Sequence, residues 1–384
     1  MHAACAALPA ERASGAAERY SSGVSDPSKS PDPGEQPGSS RSVAPAVPLP
    51  ESVPLVLASV AAWRAVNDQA ATRVLPDAVQ DAVVKLSVRT IADARTGQTL
   101  GTEREGTGIV IRADGDADRG ALILTIGYLV IEAQSVLVIT RDNRVLAASV
   151  IAFDHSTGFG LLRASGRVTD RPLELGDSSS VREMQPVFFV AHEGAGGASA
   201  AAVVSRRPFV GYWEYMLGEA LFTVPGRSDH SGAALVDAEG RLLGVASLWV
   251  GDALDQGSAL PGNMFVPTDL LRPLLPNLIA HGRGPDPARP WLGVYTAEQN
   301  SKVVVAHVMD RSPAQRVGIR EGDVIISVAA DPVATPREFY EKLWAAGAAG
   351  TRIRLRVLRG RLVLDALVNS IDRVEFFHPW KVRS

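Results

Sequence analysis

From Ala78 onward the chain consists of short β-branched and aliphatic runs, each cut off by Gly, Asp or Asn before a helix could develop. "AVVKLSVRTIA", "GTGIVIRADG", "ALILTIGYLVI", "SVLVITRDNRVLAASVIAFD", "FGLLRA" and "QPVFFVAHEG" each supply one or two strands, and "ALFTV", "GAALVDAEGRLLGVASLWV" and "GNMFVP" continue the series. Many short strands over roughly 200 residues, with turn chemistry between them, predict an all-β barrel or sandwich, and the length suits two barrels. The region closes with "PTDLLRPLLPNLIAHG", where Thr268 is expected to cap a short helix with Leu270, Leu271, Leu274 and Leu275 on one apolar side.

A second unit follows the linker "GRGPDPARP". It mixes the strands "KVVVAHV", "GDVIISV" and "RIRLRVL" with two well-signalled helices. Ser312 precedes Pro313 and Gln315, and Gly318 suits the stop; Thr335 precedes Pro336 and Glu338, and Gly347 suits the stop. The result is a small α+β module. The full division reads as a disordered low-complexity segment 1–51, an apolar segment and linker 52–77, a double barrel 78–278, a linker 279–289, the module 290–373 and a tail 374–384.

The start of the chain has a different texture. Eight of the 25 prolines fall in the first fifty residues, among many Ser, Gly and Ala, so this stretch lacks the apolar surface to offset its ordering entropy. "SVPLVLASVAAW", Ser52 to Trp63, is too short for a membrane span of about 20 residues. It reads as a linker or surface helix, or as an export-signal core with an atypical flank. A net charge of −3 argues against a nucleic-acid partner. With Cys5 the only cysteine and the histidines scattered, neither a disulfide framework nor a metal site is expected, and no cofactor is implied.

In order and spacing, these stretches resemble the HtrA/Deg family, in which a trypsin-like double β-barrel protease domain precedes a PDZ domain. On the protease side the resemblance rests on "GTGIVI", "ILTIGYLV", "FDHSTGFGLLR", "LELGDSSSV", "SDHSGAALVDAEGRLLGV" and "MFVPTDLL". On the PDZ side it rests on "RPWLGV", "SPAQRVGIREGDVIISV" and "PREFYEKLW". It covers roughly Ala78 to Arg373. The implied fold is mainly β: a trypsin-like double barrel followed by a small α+β PDZ domain.

At the implied catalytic positions the chain departs from the family. Ser231 keeps the nucleophile's place, in "DHSGA", but Tyr128 stands where the histidine base is expected and Gly158 where the carboxylate is expected. A phenol titrating near pH ~10 is a poor base at neutral pH, and glycine orients nothing. Asp229 replaces a glycine of the oxyanion hole, where a negative side chain opposes a developing oxyanion.

The histidine count points the same way: none lies between His2 and His155. His155 and His192 read as loop residues, and His230 diverges from its neighbour Ser231 in extended backbone. Lys85, the one lysine of the barrel region, reads as a solvated strand residue. The expectation is a pseudoprotease. The alternative is an active trypsin-like serine endopeptidase that uses Ser231 with a base outside the family's position.

In the PDZ-like unit Trp291, Leu292, Gly293 and Val294 resemble the loop that captures a peptide C-terminal carboxylate through backbone N–H groups, with Phe339 and Leu343 in the groove's apolar wall. Trp291, Phe339 and Trp344 read equally well as core. The aromatic segment "FVGYWEYMLGEALF" reads either as a partner surface or as inter-barrel packing. By resemblance the expected partners are unfolded or C-terminal segments of proteins, the expected assembly is a homotrimer or one with an active relative, and the compartment is periplasmic or envelope, with cytoplasm the other option.

Overall fold

The computed structural model describes residues 75, 77–112, 120–192, 197–257 and 259–377. The expected disordered segment 1–51, the apolar stretch Ser52–Trp63 and the end of the tail lie outside the described residues.

Six strands, β1 (Val83–Thr90), β2 (Glu103–Val110), β3 (Leu122–Ile126), β4 (Ala133–Ile139), β5 (Val145–Phe153) and β6 (Phe159–Ala164), close into a barrel in the order β1-β2-β3-β6-β5-β4. A second barrel is formed by β7 (Pro186–Val190), β8 (Ala198–Gly211), β9 (Tyr215–Val224), β10 (Ala234–Val236), β11 (Leu242–Val250) and β12 (Gly262–Pro267), in the order β10-β11-β12-β9-β8-β7. Closure removes the unpaired edges that strands this short would otherwise expose. Alternation sets the faces. In β1, Val84, Leu86 and Val88 turn inward while Lys85 pairs with Glu105 at 3.0 Å across the ladder. Strand β3 is buried along its whole length; one apolar cluster runs from the first barrel onto the second, which also holds a separate cluster around Phe189, Leu221, Leu235 and Phe265.

The second unit is a six-stranded sheet of β13 (Val294–Gln299), β14 (Lys302–Val308), β15 (Val324–Val328), β17 (Arg352–Arg359) and β18 (Leu362–Asn369), with the short β16 (Asp331–Pro332) paired to β15. Among the described residues there are six helices: α1 (Asp77–Asp81), α2 (Gly97–Leu100), α3 (Leu275–His281), α4 (Pro313–Arg316), α5 (Pro336–Ala345) and α6 (Arg373–Phe376). The caps of α4 and α5 follow from the sequence. Ser312 Oγ accepts from Gln315 N at 3.2 Å and Thr335 Oγ1 from Glu338 N at 3.2 Å.

The helix after the barrels starts later than its sequence suggests. Thr268–Leu270 forms a 3-10 turn, and the Thr268 hydroxyl contacts the Gly176, Leu242 and Leu243 carbonyls at 3.2–3.3 Å rather than capping a helix. Buried carbonyls at the barrel seam compete successfully for that hydroxyl, and α3 begins at Leu275 without a side-chain cap.

The segment after Arg373, expected as a tail, begins with α6. Phe376 and Phe377 pack with Trp291 and Ile131, joining the first barrel to the second unit. His155 lies beside them, its ring centroid 4.2 Å from that of Phe153 and 5.9 Å from that of Phe377. Burial, and then the nearby Arg373 guanidinium, hold its imidazole well below the usual histidine range. The sign follows: below pH ~6.5 the unfolded chain takes up a proton at this site that the folded chain refuses, so stability falls on acidification by up to about 1.4 kcal/mol per pH unit. Thermal unfolding at pH 7.5 and 5.5 should show a larger drop for the wild type than for His155→Phe, which keeps the packing and cannot titrate. Equal drops would refute this.

Candidate active site and peptide groove

Three turns bring the predicted catalytic positions together. Tyr128 rides on the 3-10 turn Gly127–Leu129 directly after β3, Gly158 precedes β6, and Ser231 precedes β10. Gly127 N–H donates to Gly158 O at 2.6 Å, locking the first two turns to each other. A Cβ at Gly127 would lie 2.0 Å from the Phe153 ring, so only glycine fits there. Thr107 N–H donates to Ser231 O at 2.8 Å and Thr125 Oγ1–H to Thr107 O at 2.7 Å, which ties the serine turn to the first barrel.

Tyr128 is half-buried, and its phenol oxygen lies 2.9 Å from Ser231 Oγ and 3.0 Å from Ser247 O on β11. A carbonyl oxygen only accepts, and the phenol has one proton. Both contacts are satisfied when Tyr128 donates to Ser247 O and Ser231 donates to Tyr128 Oη. In that arrangement the serine proton rests on a neutral phenol, which has little tendency to take it. Among the described residues, no imidazole, amine or carboxylate hydrogen-bonds Ser231 Oγ.

Gly158 has φ +83°, and a Cβ on it would stand 3.2 Å from Tyr215 Oη. The space beside this position is thus taken by a second phenol, which donates to Thr157 O at 2.6 Å. The carboxylate of the same loop, Asp154, accepts at Oδ2 from Thr157 N at 2.8 Å, Thr157 Oγ1 at 2.6 Å and Ser156 Oγ at 2.6 Å, so that oxygen serves its own turn.

Asp229, expected to oppose an oxyanion, is paired. Arg227 Nε donates to Oδ1 at 2.9 Å and Nη2 to Oδ2, while Nη1 reaches Ser199 Oγ at 2.7 Å and the guanidinium lies over the Phe189 ring at 4.7 Å. The ion pair offsets much of the expected repulsion. Nothing in the sequence pattern singled out Arg227, although the i,i+2 spacing Arg227/Asp229 in a turn was a readable signal. The remaining histidines serve elsewhere. His192 Nδ1 meets Thr107 Oγ1 at 2.8 Å and His230 Nδ1 meets Arg227 O at 3.2 Å; burial lowers the His230 imidazole below its ordinary range.

In the second unit the residues singled out for peptide capture are buried. Trp291 packs on Phe376 and Phe377, and Leu292, Val294, Phe339 and Leu343 are fully enclosed. Gly293 has φ +82°, and a Cβ there would lie 2.3 Å from that of Ser312, so this loop needs glycine. The N–H groups of Leu292, Gly293 and Val294 converge on one carboxylate, that of Glu214 at the β8–β9 turn. Gly293 N lies 2.6 Å and Val294 N 2.9 Å from Oε1, and Leu292 N 3.1 Å from Oε2. Burial outweighs the pull of the three N–H groups and Arg373 toward ionisation, and the Glu214 carboxyl is raised to about 7. The sequence named the loop and marked the aromatic segment, but not that the one would seat the other.

Residues 106–245 match the trypsin-like peptidase domain and residues 290–369 the PDZ domain. The chain is 27% identical over 274 residues to a probable periplasmic serine endoprotease DegP-like of Pseudomonas fluorescens, covering 66% of this chain and 53% of that protein. It is 24% identical over 285 residues to the serine protease Do-like HtrB of Bacillus subtilis, covering 66% and 59%. It is 23% identical over 307 residues to the periplasmic pH-dependent serine endoprotease DegQ of Escherichia coli, covering 71% and 62%. The chain spans about half the length of the curated relatives it matches first. Among solved structures, a serine endoprotease from Yersinia pestis aligns at a TM-score of 0.46 and 20% identity, over 78% of this chain and 99% of that one.

Proposed function

The chain belongs to the HtrA-type serine protease family, and from that premise we propose that it is a catalytically silent member that captures exposed C-terminal segments of proteins. The observation that carries the silence is the hydrogen bond from Ser231 Oγ to Tyr128 Oη, with that phenol also anchored on Ser247 O. Activation of serine requires a base that accepts its proton at working pH and a partner that steadies the resulting cation. Here a phenol occupies the first place, and the glycine at the second is backed by Tyr215.

Capture of a peptide end draws on the three backbone N–H groups of Leu292, Gly293 and Val294. Their convergence on a carboxylate oxygen pair is the geometry a terminal carboxylate requires. Because relatives carry periplasmic names, the reading places the protein in the cell envelope, in quality control of damaged proteins, as a homotrimer or joined to an active relative. Among the described residues no helix is long and apolar enough to cross a membrane.

Purified protein incubated with unfolded casein, beside a Ser231→Ala control, tests the silence. Both samples should leave casein intact at equal rates. Cleavage by the wild type that disappears in Ser231→Ala would establish the active alternative.

A further inference from the structure

The hairpin that joins β8 to β9 leaves the second barrel and enters the groove of the PDZ domain. Its three-residue turn, Tyr212, Trp213 and Glu214, is closed by the pair Gly211 and Tyr215. In such turns the third residue usually sits in the left-handed region, where glycine or asparagine is the favoured occupant. Glu214 adopts φ +55° there, a conformation unfavourable for a residue with a Cβ. The side chain that accepts this conformation is the one whose carboxylate fills the Leu292–Val294 loop, and only 5% of its surface is exposed.

The contact extends along the groove. Thr296 N–H, on β13, donates to Tyr212 O at 2.9 Å, a main-chain bond of the type an added peptide strand would make. On the helix side, Glu214 N–H donates to Tyr340 Oη at 3.2 Å, and that hydroxyl also meets Thr296 Oγ1 at 2.8 Å. Val210 and Met216, from the two hairpin strands, pack on the apolar core of the PDZ domain. Carboxylate, strand rung and apolar anchor are therefore all supplied from within the same chain.

We infer that the β8–β9 hairpin is an internal ligand of the PDZ domain, with Glu214 standing in for a terminal carboxylate, and that an incoming peptide C-terminus must displace it to bind. This rests on the reading that the loop takes terminal carboxylates. The groove is thereby closed at rest. Displacement frees a hairpin whose strands belong to the barrel that carries Ser231, so occupancy of the groove is coupled to the conformation of that barrel's outer end.

The test uses the full chain as wild type, Glu214→Ala and Glu214→Gln, with thermal unfolding as the check on folding. The probes are fluorescein-labelled decapeptides ending in each apolar residue as a free carboxylate, and the same set amidated. Hydrogen exchange follows the amides of Leu292, Gly293 and Val294 without any ligand. The expected result is at least tenfold tighter binding of free-carboxylate peptides to Glu214→Ala than to wild type, a smaller gain for Glu214→Gln, and no gain for amidated peptides. The three amides should exchange at least tenfold faster in Glu214→Ala.

Equal peptide affinities in wild type and Glu214→Ala would overturn the internal ligand and leave peptide capture standing, and so would an equal gain for amidated peptides. If no peptide binds any form but the three amides are released by Glu214→Ala, the internal ligand stands and the capture reading fails. No binding and unchanged exchange would overturn the internal ligand. Should Glu214→Ala not fold, Glu214→Gln and the protection of the wild-type amides provide the same comparison.

Discussion

A fluorophosphonate probe should modify Ser231 no faster than it modifies surface serines, roughly 10⁴-fold or more below a serine in an intact triad. Covalent attack requires the serine proton to leave as the Oγ–P bond forms and fluoride departs. The only hydrogen-bond acceptor on Oγ among the described residues is a neutral phenol. Mass spectrometry of the treated protein, with Ser231→Ala alongside, reads the outcome directly, and a stoichiometric adduct on Ser231 would end the silent reading. Tyr128→His alone should not restore labelling. An imidazole in that place would still face Gly158, and an aspartate at Gly158 would have to adopt φ +83° with its Cβ 3.2 Å from Tyr215 Oη.

Gly232→Ala should destabilise the protein by about 2–5 kcal/mol. Gly232 has φ +77°, and a Cβ there would stand 2.2 Å from Thr107 O and 2.6 Å from Thr125 Oγ1. Neither neighbour can withdraw cheaply. Thr107 O is held by Thr125 Oγ1, Thr107 N–H by Ser231 O, and Gly232 N–H donates to Ala246 O at 3.0 Å. The methyl group therefore forces the seam between the barrels apart. Calorimetry should show a fall in Tm of about 4–20 °C, given about 2–4 °C per kcal/mol for domains of this size. Gly218, with open space around it on β9, is the control: Gly218→Ala should move Tm very little. Similar behaviour of the two variants would refute the steric argument.

The fold was legible because both units state their pattern locally. Alternation in "RIRLRVL" places Ile353, Leu355 and Val357 inward and Arg352, Arg354 and Arg356 outward, and Ser-Pro and Thr-Pro pairs announce α4 and α5. Thr268 misled because the competing carbonyls of Gly176, Leu242 and Leu243 are distant in sequence, and no local rule weighs them. The meeting of Tyr128 with Ser231 was readable only as two aligned positions. Ser247 O, the second anchor of the phenol, is a backbone atom and leaves no trace in residue identity. Glu214 escaped for a related reason. A glutamate in "GYWEY" looks like a solvated turn residue, and what it binds is three main-chain N–H groups about eighty residues later.

Tyr128 is rooted in the first barrel, and Ser231 Oγ and Ser247 O, which its phenol oxygen meets, lie in the second. Where a cleft between two such barrels would ordinarily admit substrate, here a cross-brace spans it, and the brace is made from the residue that fills the base's place. The phenol thus links the two barrels at the serine itself. A partner that enters the second unit therefore reaches the barrels first through the β8–β9 hairpin, whose Tyr212, Glu214, Val210 and Met216 touch that unit.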